Sequence, residues 1–158
     1  MQFDQDTIGA AIGRIPSGCS ILTVEHNSHS SGVLVSWVQQ AAFDPPSITV
    51  CLKKGRPIAK LVDAAGCFLL NLIGEDTAAM FKHFGKGFAL EDDAFDGLTV
   101  RATEFGPAIE SCIAHLGCRV TAKLPIGDHE LYAAEVAAAG VVENARPYTH
   151  LRKNAQTY

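Results

Sequence analysis

The sequence lacks the signals of several common functional classes. No Gly-x-Gly-x-x-Gly motif occurs, so a Rossmann-type dinucleotide site is excluded. The five cysteines form no Cys-x-x-Cys pair, which argues against a zinc site, and we expect no metal. No apolar run approaches the roughly 18 residues needed to cross a bilayer. No Ser-His-Asp arrangement can be identified either, which favours a reaction carried by a cofactor.

Positive charge is also scarce. The chain has 13 Lys and Arg against 17 Asp and Glu, and its formal charge of −4 argues against nucleic-acid or anionic-membrane binding. Because the N-terminus has no basic region typical of a signal peptide, we expect a cytoplasmic protein. The cations that are present form clusters, which favours local anion sites, at Lys53, Lys54, Arg56 and Lys60 and at Arg152 and Lys153.

The pattern of apolar residues predicts one mainly β domain over residues 1–158 with a few helices. Many short strands of this kind fit a closed or partly closed barrel. Cys112 and Cys118 are expected on the same face of one strand, too far apart for a disulfide. The predicted helices are 6–15, 57–65 and 76–84; the predicted strands are 19–24, 33–38, 47–52, 67–73, 98–101, 109–124 and 131–142.

One segment combines a flat ring, amides and nearby cations. Residues 36–44 predict a polar loop that contains Trp37, Gln39 and Gln40. The strand that follows ends at the first basic cluster. Such an arrangement suits a ligand that is flat at one end and anionic at the other, as flavin mononucleotide (FMN) is. The alternative is a surface turn beside a solvated basic cluster.

Two motifs carry a family resemblance. Asp44-Pro45-Pro46 precedes an apolar strand, with Ser36 and Gln40 at positions upstream where the family has polar residues. Gly127-Asp128-His129 joins the last two long strands. Together they resemble the flavin reductase-like family, including the reductase-like module of diflavin flavoproteins. The resemblance implies an FMN-binding split β-barrel. Trp37 departs from the family's usual serine.

The resemblance also implies a set of site residues. His129 would position a nicotinamide or balance the charge of reduced flavin. Strand alternation allows only one of Lys53 and Lys54 to face the site, and the resemblance favours Lys54. Phe84 and Lys86 would belong to a second segment that covers the flavin. The complete set of expected cofactor-binding residues is Val35, Ser36, Trp37, Val38, Gln39, Gln40, Lys53, Lys54, Arg56, Phe84 and Lys86.

The function implied is an NAD(P)H-dependent FMN reductase that transfers hydride from nicotinamide to flavin. An electron-transfer flavoprotein that passes electrons from bound FMN to a protein partner is the alternative, and a protein with the fold but no redox activity is a third. The family also implies a homodimer, in which the loop 86–97 and the tail 148–158 would exchange between chains or cover the site.

Overall fold

The structure is a computed structural model that describes residues 4–77, 79–142 and 144–152. The prediction of a mainly β protein is confirmed, with 48% strand and 18% helix. The helices are α1 (Gln5–Ile12), α2 (Pro57–Ala65) and α3 (Ala79–Gly85). The strands are β1 (Ser17–Gly18), β2 (Ser20–His26), β3 (His29–Val35), β4 (Val38–Phe43), β5 (Pro46–Lys53), β6 (Cys67–Leu72), β7 (Val100–Arg101), β8 (Ala108–Ile109), β9 (Ala114–Ile126), β10 (His129–Val141) and β11 (Thr149–His150).

Seven strands form one antiparallel sheet in the order β3-β2-β6-β9-β10-β5-β4. The described strands do not close it, as expected of a split barrel. Its two edge strands, β3 and β4, are neighbours in the chain, joined through Ser36 and Trp37. The short pair β1–β11 lies outside this sheet. The open side of the curved sheet therefore lies where β3 passes into β4.

Apolar side chains cover both faces of the central strands. On β2, Leu22 and Val24 pack into a cluster with α2, whereas Ile21 packs into a second cluster around α3. This alternation follows from the period of two in a strand. The loop 86–97 contributes Ala94 and Phe95 to the second cluster, so the loop packs against the core of its own chain.

Several predicted boundaries are wrong for identifiable reasons. Residues 38–43 are strand β4, because an edge strand exposes polar side chains while its backbone pairs with β5. His129 begins β10 and is buried there. The strand β9 begins after Cys112, so Cys112 and Cys118 do not share it. The predicted helix 76–84 is a 3₁₀ turn at Glu75–Thr77 followed by α3.

A buried polar network fixes the segment before β9 to the sheet. Asn71, fully buried on β6, donates to the Ile21 carbonyl at 3.1 Å and to Thr23 Oγ1 at 3.0 Å. Its Oδ1 accepts from the Ile109 N–H at 2.8 Å. Thr23 Oγ1 in turn donates to the Pro107 carbonyl at 2.7 Å. One amide therefore joins β2, β6 and β8.

We predict that Asn71→Leu lowers the free energy of unfolding by about 1–3 kcal/mol. This is the cost of leaving the buried Ile109 N–H without an acceptor. Urea unfolding measures this loss. Thr121→Val, which removes an exposed hydroxyl from β9, is the control and should change stability by no more than about 0.5 kcal/mol. Equal effects of the two variants would contradict the role given to the network.

Candidate functional site

A cavity of about 710 Å³ opens where β3 turns into β4. One wall is the end of β3 with the Ser36-Trp37 link, the second is the end of β5 with Arg56, and the third is α3. Residues 150–152 complete it. The lining residues are Val33, Leu34, Val35, Ser36, Trp37, Cys51, Leu52, Lys53, Arg56, Phe81, Lys82, Gly85, Lys86, His150, Leu151 and Arg152.

The charges of the cavity are all of one sign. Among the described residues that line it, five are Lys or Arg and none is Asp or Glu. The whole chain, in contrast, carries a formal charge of −4. Like charges gathered around one cavity repel each other, so the arrangement favours an anionic ligand. The five cations are Lys53, Arg56, Lys82, Lys86 and Arg152.

The end of β5 directs Lys53 and Lys54 to different places. Lys53 lines the cavity. Lys54 donates its Nζ to the Gly127 carbonyl at 2.6 Å and its backbone N–H to the Asp128 carbonyl at 3.0 Å. The expectation that only one of them faces the site agrees with this geometry, but the structure places Lys53 there and not Lys54.

Arg56 connects two walls of the cavity. It is the N-cap residue of α2, and its guanidinium lies against the backbone of Gly87, after α3. A Cβ on Gly87 would come within 2.5 Å of Arg56 Nη1. Gly87 also has a φ of +74°, a conformation that residues with a side chain rarely adopt. Glycine at this position therefore allows Arg56 to approach the loop after α3.

Trp37 lies between a buried histidine and a cation. Its ring centroid is 4.5 Å from that of His129, with the planes tilted by 42°. The Arg152 guanidinium lies over the same ring at 5.1 Å. Arg152 lines the cavity and His129 does not, so of these two neighbours of Trp37 only Arg152 is placed to meet a ligand there.

The position of His129 is fixed by its neighbour in the turn. His129 Nδ1 donates to Asp128 Oδ1 at 2.7 Å, and this hydrogen bond lowers the pKa of the Asp128 carboxyl. His129 is only 6% exposed, whereas the Asp128 side chain is largely exposed. The carboxylate thus orients the imidazole against Trp37. In this arrangement His129 acts on the cavity through Trp37.

The structure brings together part of the expected set. Six of the expected residues line the cavity: Val35, Ser36, Trp37, Lys53, Arg56 and Lys86. Val38, Gln39 and Gln40 lie on β4 and do not line it. Phe84 is fully buried in the core around α3, in edge contact with His83 and Phe88.

The list of expected cofactor-binding residues includes none from the chain's end, although the tail 148–158 was expected to exchange between chains or cover the site. Residues 148–152, which we call the C-terminal strap, are held by the Tyr148 N–H to the Ile73 carbonyl at 2.9 Å and by pairing of β11 with β1. Phe81 contacts the rings of Tyr148 and His150. The basic pair Arg152-Lys153 was a signal of this contribution. Residues 153–158, including Lys153 and the end of the predicted tail, lie outside the described residues.

Two further features limit the chemistry. In the described ranges, no group of three or more His, Cys, Asp or Glu residues could hold a metal ion. Burial raises the pKa of Cys19 and Cys112 to about 11 and that of Cys118 to about 12. These thiols are therefore protonated at neutral pH.

No helix within the described residues is long and apolar enough to cross a membrane.

Comparisons with known proteins identify the family. The family described as flavin reductase like domain matches residues 12–158. The reductase component of 4-nitrophenol 4-monooxygenase/4-nitrocatechol 2-monooxygenase from Rhodococcus opacus is 31% identical over 137 residues, which cover 87% of this chain and 72% of that protein. The chain belongs to the flavin reductase-like family, as its two motifs predicted.

Other relatives are much longer than this chain. Diflavin flavoprotein A 1 from Synechocystis sp. is 35% identical over 152 residues, which cover 94% of this chain but 26% of that protein. The chain thus spans about a quarter of the length of the diflavin flavoproteins it matches. Among solved structures, the NADH:FAD oxidoreductase SgcE6 of Streptomyces globisporus C-1027 has a TM-score of 0.84 at 20% identity, covering 91% of this chain and 86% of that one. A second structure of SgcE6, with NAD and FAD fragments, has a TM-score of 0.82 with the same identity and coverage.

Proposed function

We propose that this chain binds FMN in the cavity at the β3–β4 link and acts as an NAD(P)H-dependent flavin reductase. The observation that carries the proposal is the cavity itself, in which five cations and no carboxylate line the space beside Trp37. A flavin nucleotide offers the matching chemistry, because it joins a flat ring to an anionic phosphate. The use of NAD(P)H as electron donor also leads us to propose a cytoplasmic site of action.

The residues present fit such a ligand. A phosphate dianion needs several N–H donors or cations, and Lys53, Arg56 and Lys86 would supply them. Trp37 and Phe81 would provide an aromatic wall for the ring. Arg152 Nε is buried and has no hydrogen-bond partner within the described part of the chain, so it retains a donor for a ligand. The cavity volume falls in the range of about 300–1,000 Å³ that small-molecule sites occupy.

The protein's part in the reaction is binding and orientation. When bound, the flavin supplies the acceptor of the hydride, and no side chain has to act as a base. The cations hold the anionic end of the ligand. Asp128 fixes His129, and His129 fixes Trp37, so the aromatic wall has one orientation. Placing two reactants in a defined geometry is itself a large source of rate enhancement.

Relatives support the choice of reaction. The Rhodococcus opacus relative is a monooxygenase reductase component, and SgcE6 is an NADH:FAD oxidoreductase. A second candidate is a module that holds flavin tightly and passes electrons to a protein acceptor, and it is supported by the match to relatives named diflavin flavoproteins. A yellow protein with slow NAD(P)H turnover would favour this second function.

We predict that the purified chain consumes NADH or NADPH only when FMN or FAD is added or already bound, measured as loss of nicotinamide absorbance. Absence of turnover with either flavin would contradict the enzymatic proposal.

In His129→Ala, Trp37 loses its support, so flavin affinity and kcat/KM for NAD(P)H should both fall, while reduction by dithionite is unchanged. A fall in kcat/KM alone would place His129 at the nicotinamide instead.

The positions of Lys53 and Lys54 generate a matched pair of variants. Lys53→Ala should weaken FMN by about 1.5 kcal/mol, or roughly tenfold, by removing a charge-assisted contact to the phosphate. Riboflavin, which lacks the phosphate, should bind as before. Lys54→Ala, whose side chain bonds to Gly127, should affect both flavins equally. Flavin fluorescence titration measures these affinities, and a selective loss of FMN in Lys54→Ala would reverse the assignment.

We also propose that the chain forms a homodimer, as the family resemblance implies. Large apolar side chains remain uncovered in one chain: Phe43 is 89% exposed and Val141 is 79% exposed. A second copy would remove this surface from water. Light scattering at micromolar concentration should give twice the chain mass of 16.8 kDa, and a single-chain mass for the wild type would refute the dimer. Phe43→Glu and Val141→Glu together should shift the mass toward one chain.

A further inference from the structure

The guanidinium of Arg152 occupies the surface that a flat ligand would use. It lies 5.1 Å from the centroid of the Trp37 ring, on the cavity side. His129, which does not line the cavity, contacts the same ring. A planar ring that stacks on Trp37 from the cavity must therefore move Arg152 off it.

The strap that carries Arg152 is anchored just before it. Thr149 and His150 pair with Gly18 and Ser17, and the His150 ring lies 5.2 Å from that of Phe81. These contacts keep the backbone of the strap at the cavity wall while the long Arg152 side chain retains several rotatable bonds. Arg152 can thus change its contact without detachment of the strap.

We propose that Arg152 is a specificity-determining residue that makes stacking on Trp37 conditional on an anionic group in the ligand. A neutral ring has to displace the guanidinium and gives nothing in return. A ligand with a phosphate offers the displaced guanidinium a charge-assisted hydrogen bond, to which Nε contributes a donor. The inference rests on the proposed flavin site and adds a device that selects flavin nucleotides against uncharged flavins.

The other cations of the cavity differ from Arg152 in this respect. Lys53 lines the cavity from the end of β5, and Arg56 lies against Gly87. Removing Lys53 should weaken only the anionic ligand. Removing Arg152 should uncover Trp37 and so raise the affinity for a flat ring. It should also remove a contact to the anionic group and so lower the affinity for a phosphate. The opposite signs distinguish the proposal from a simple loss of positive charge.

The test uses the intrinsic fluorescence of Trp37, the single tryptophan of the sequence. Affinities for FMN and riboflavin are measured by quenching in the wild-type chain, Arg152→Ala, Arg152→Gln and Lys53→Ala. We expect Arg152→Ala and Arg152→Gln to bind riboflavin about twofold to fivefold more tightly, the range of an exposed cation–π contact. The same variants should bind FMN no more tightly than the wild type does.

Arg146→Ala is the matched control, since Arg146 is exposed on the same terminal segment and does not line the cavity. It should leave both affinities unchanged. Urea unfolding of each variant identifies any variant that fails to fold, and Arg152→Gln, which keeps a polar side chain without the charge, then decides. Equal changes for FMN and riboflavin, or weaker riboflavin binding, in folded Arg152 variants would overturn the proposal. If neither flavin binds the wild type, the proposed flavin site itself fails, whatever the variants do.

Discussion

The register between β5 and β10 pairs Lys53 with His129, and the rest of the site depends on that pairing. It places the end of β5 beside the Gly127-Asp128 turn, where Lys54 bonds to both turn carbonyls. On the other side of β5, the Cys51 N–H donates to the Trp37 carbonyl at 3.1 Å. Trp37 and His129 are thereby held in ring contact across three strands. A shift of one residue in this register would turn every side chain of β5 to the opposite face.

The concentration of cations around the cavity has an electrostatic cost in the protein alone. Five positive side chains on one cavity repel each other, and no acidic residue of the described ranges lines it, although, besides the hydrogen bond from His129, the Lys53 charge helps to lower the pKa of the nearby Asp128 carboxyl. Elsewhere in the chain, Asp63 pairs with Lys123, and Glu104 pairs with Arg119. Since an anion would relieve this repulsion, binding should stabilise the fold by RT ln(1 + L/Kd), where L is the free ligand concentration. The charge pattern therefore favours binding of an anion at the expense of the stability of the chain without a ligand.

Sequence patterns predicted the elements whose signals are local. The helix α2 has the predicted bounds, because Pro57 fits its first turn and Gly66 takes the left-handed conformation that ends it, with a φ of +67°. The strands of the β2–β3 hairpin were predicted as 19–24 and 33–38, and Asn27 and Ser28 in the turn between them have positive φ. Edge strand β4 was missed, since its polar residues carry no alternation and its pairing with β5 decides its conformation.

The site was predictable only in part, for related reasons. Strand alternation shows that the side chains of Lys53 and Lys54 point to opposite faces of β5. Which of the two faces the cavity depends on which face of β5 packs on the core. Phe84 was expected at the ligand because the family resemblance implied it, yet helix α3 turns Phe84 to the core and Phe81 to the cavity. The role of Arg152 depends on a contact with Trp37 that is remote in sequence, and no local pattern contains it.

The strap is held to the protein less extensively than the strands of the barrel are held to each other. Its described backbone contacts are the short pairing with β1 and the bond to Ile73, and the bridge between Pro147 and Gly74 lies just before it. The sheet beneath it is held by much longer ladders, such as that between β9 and β10. Segments with few hydrogen bonds open locally at a lower free energy than the global unfolding. Such local opening would carry Arg152 away from Trp37 while the register of β5 and β10 stays intact, so the aromatic wall would keep its orientation whether or not the strap is in place.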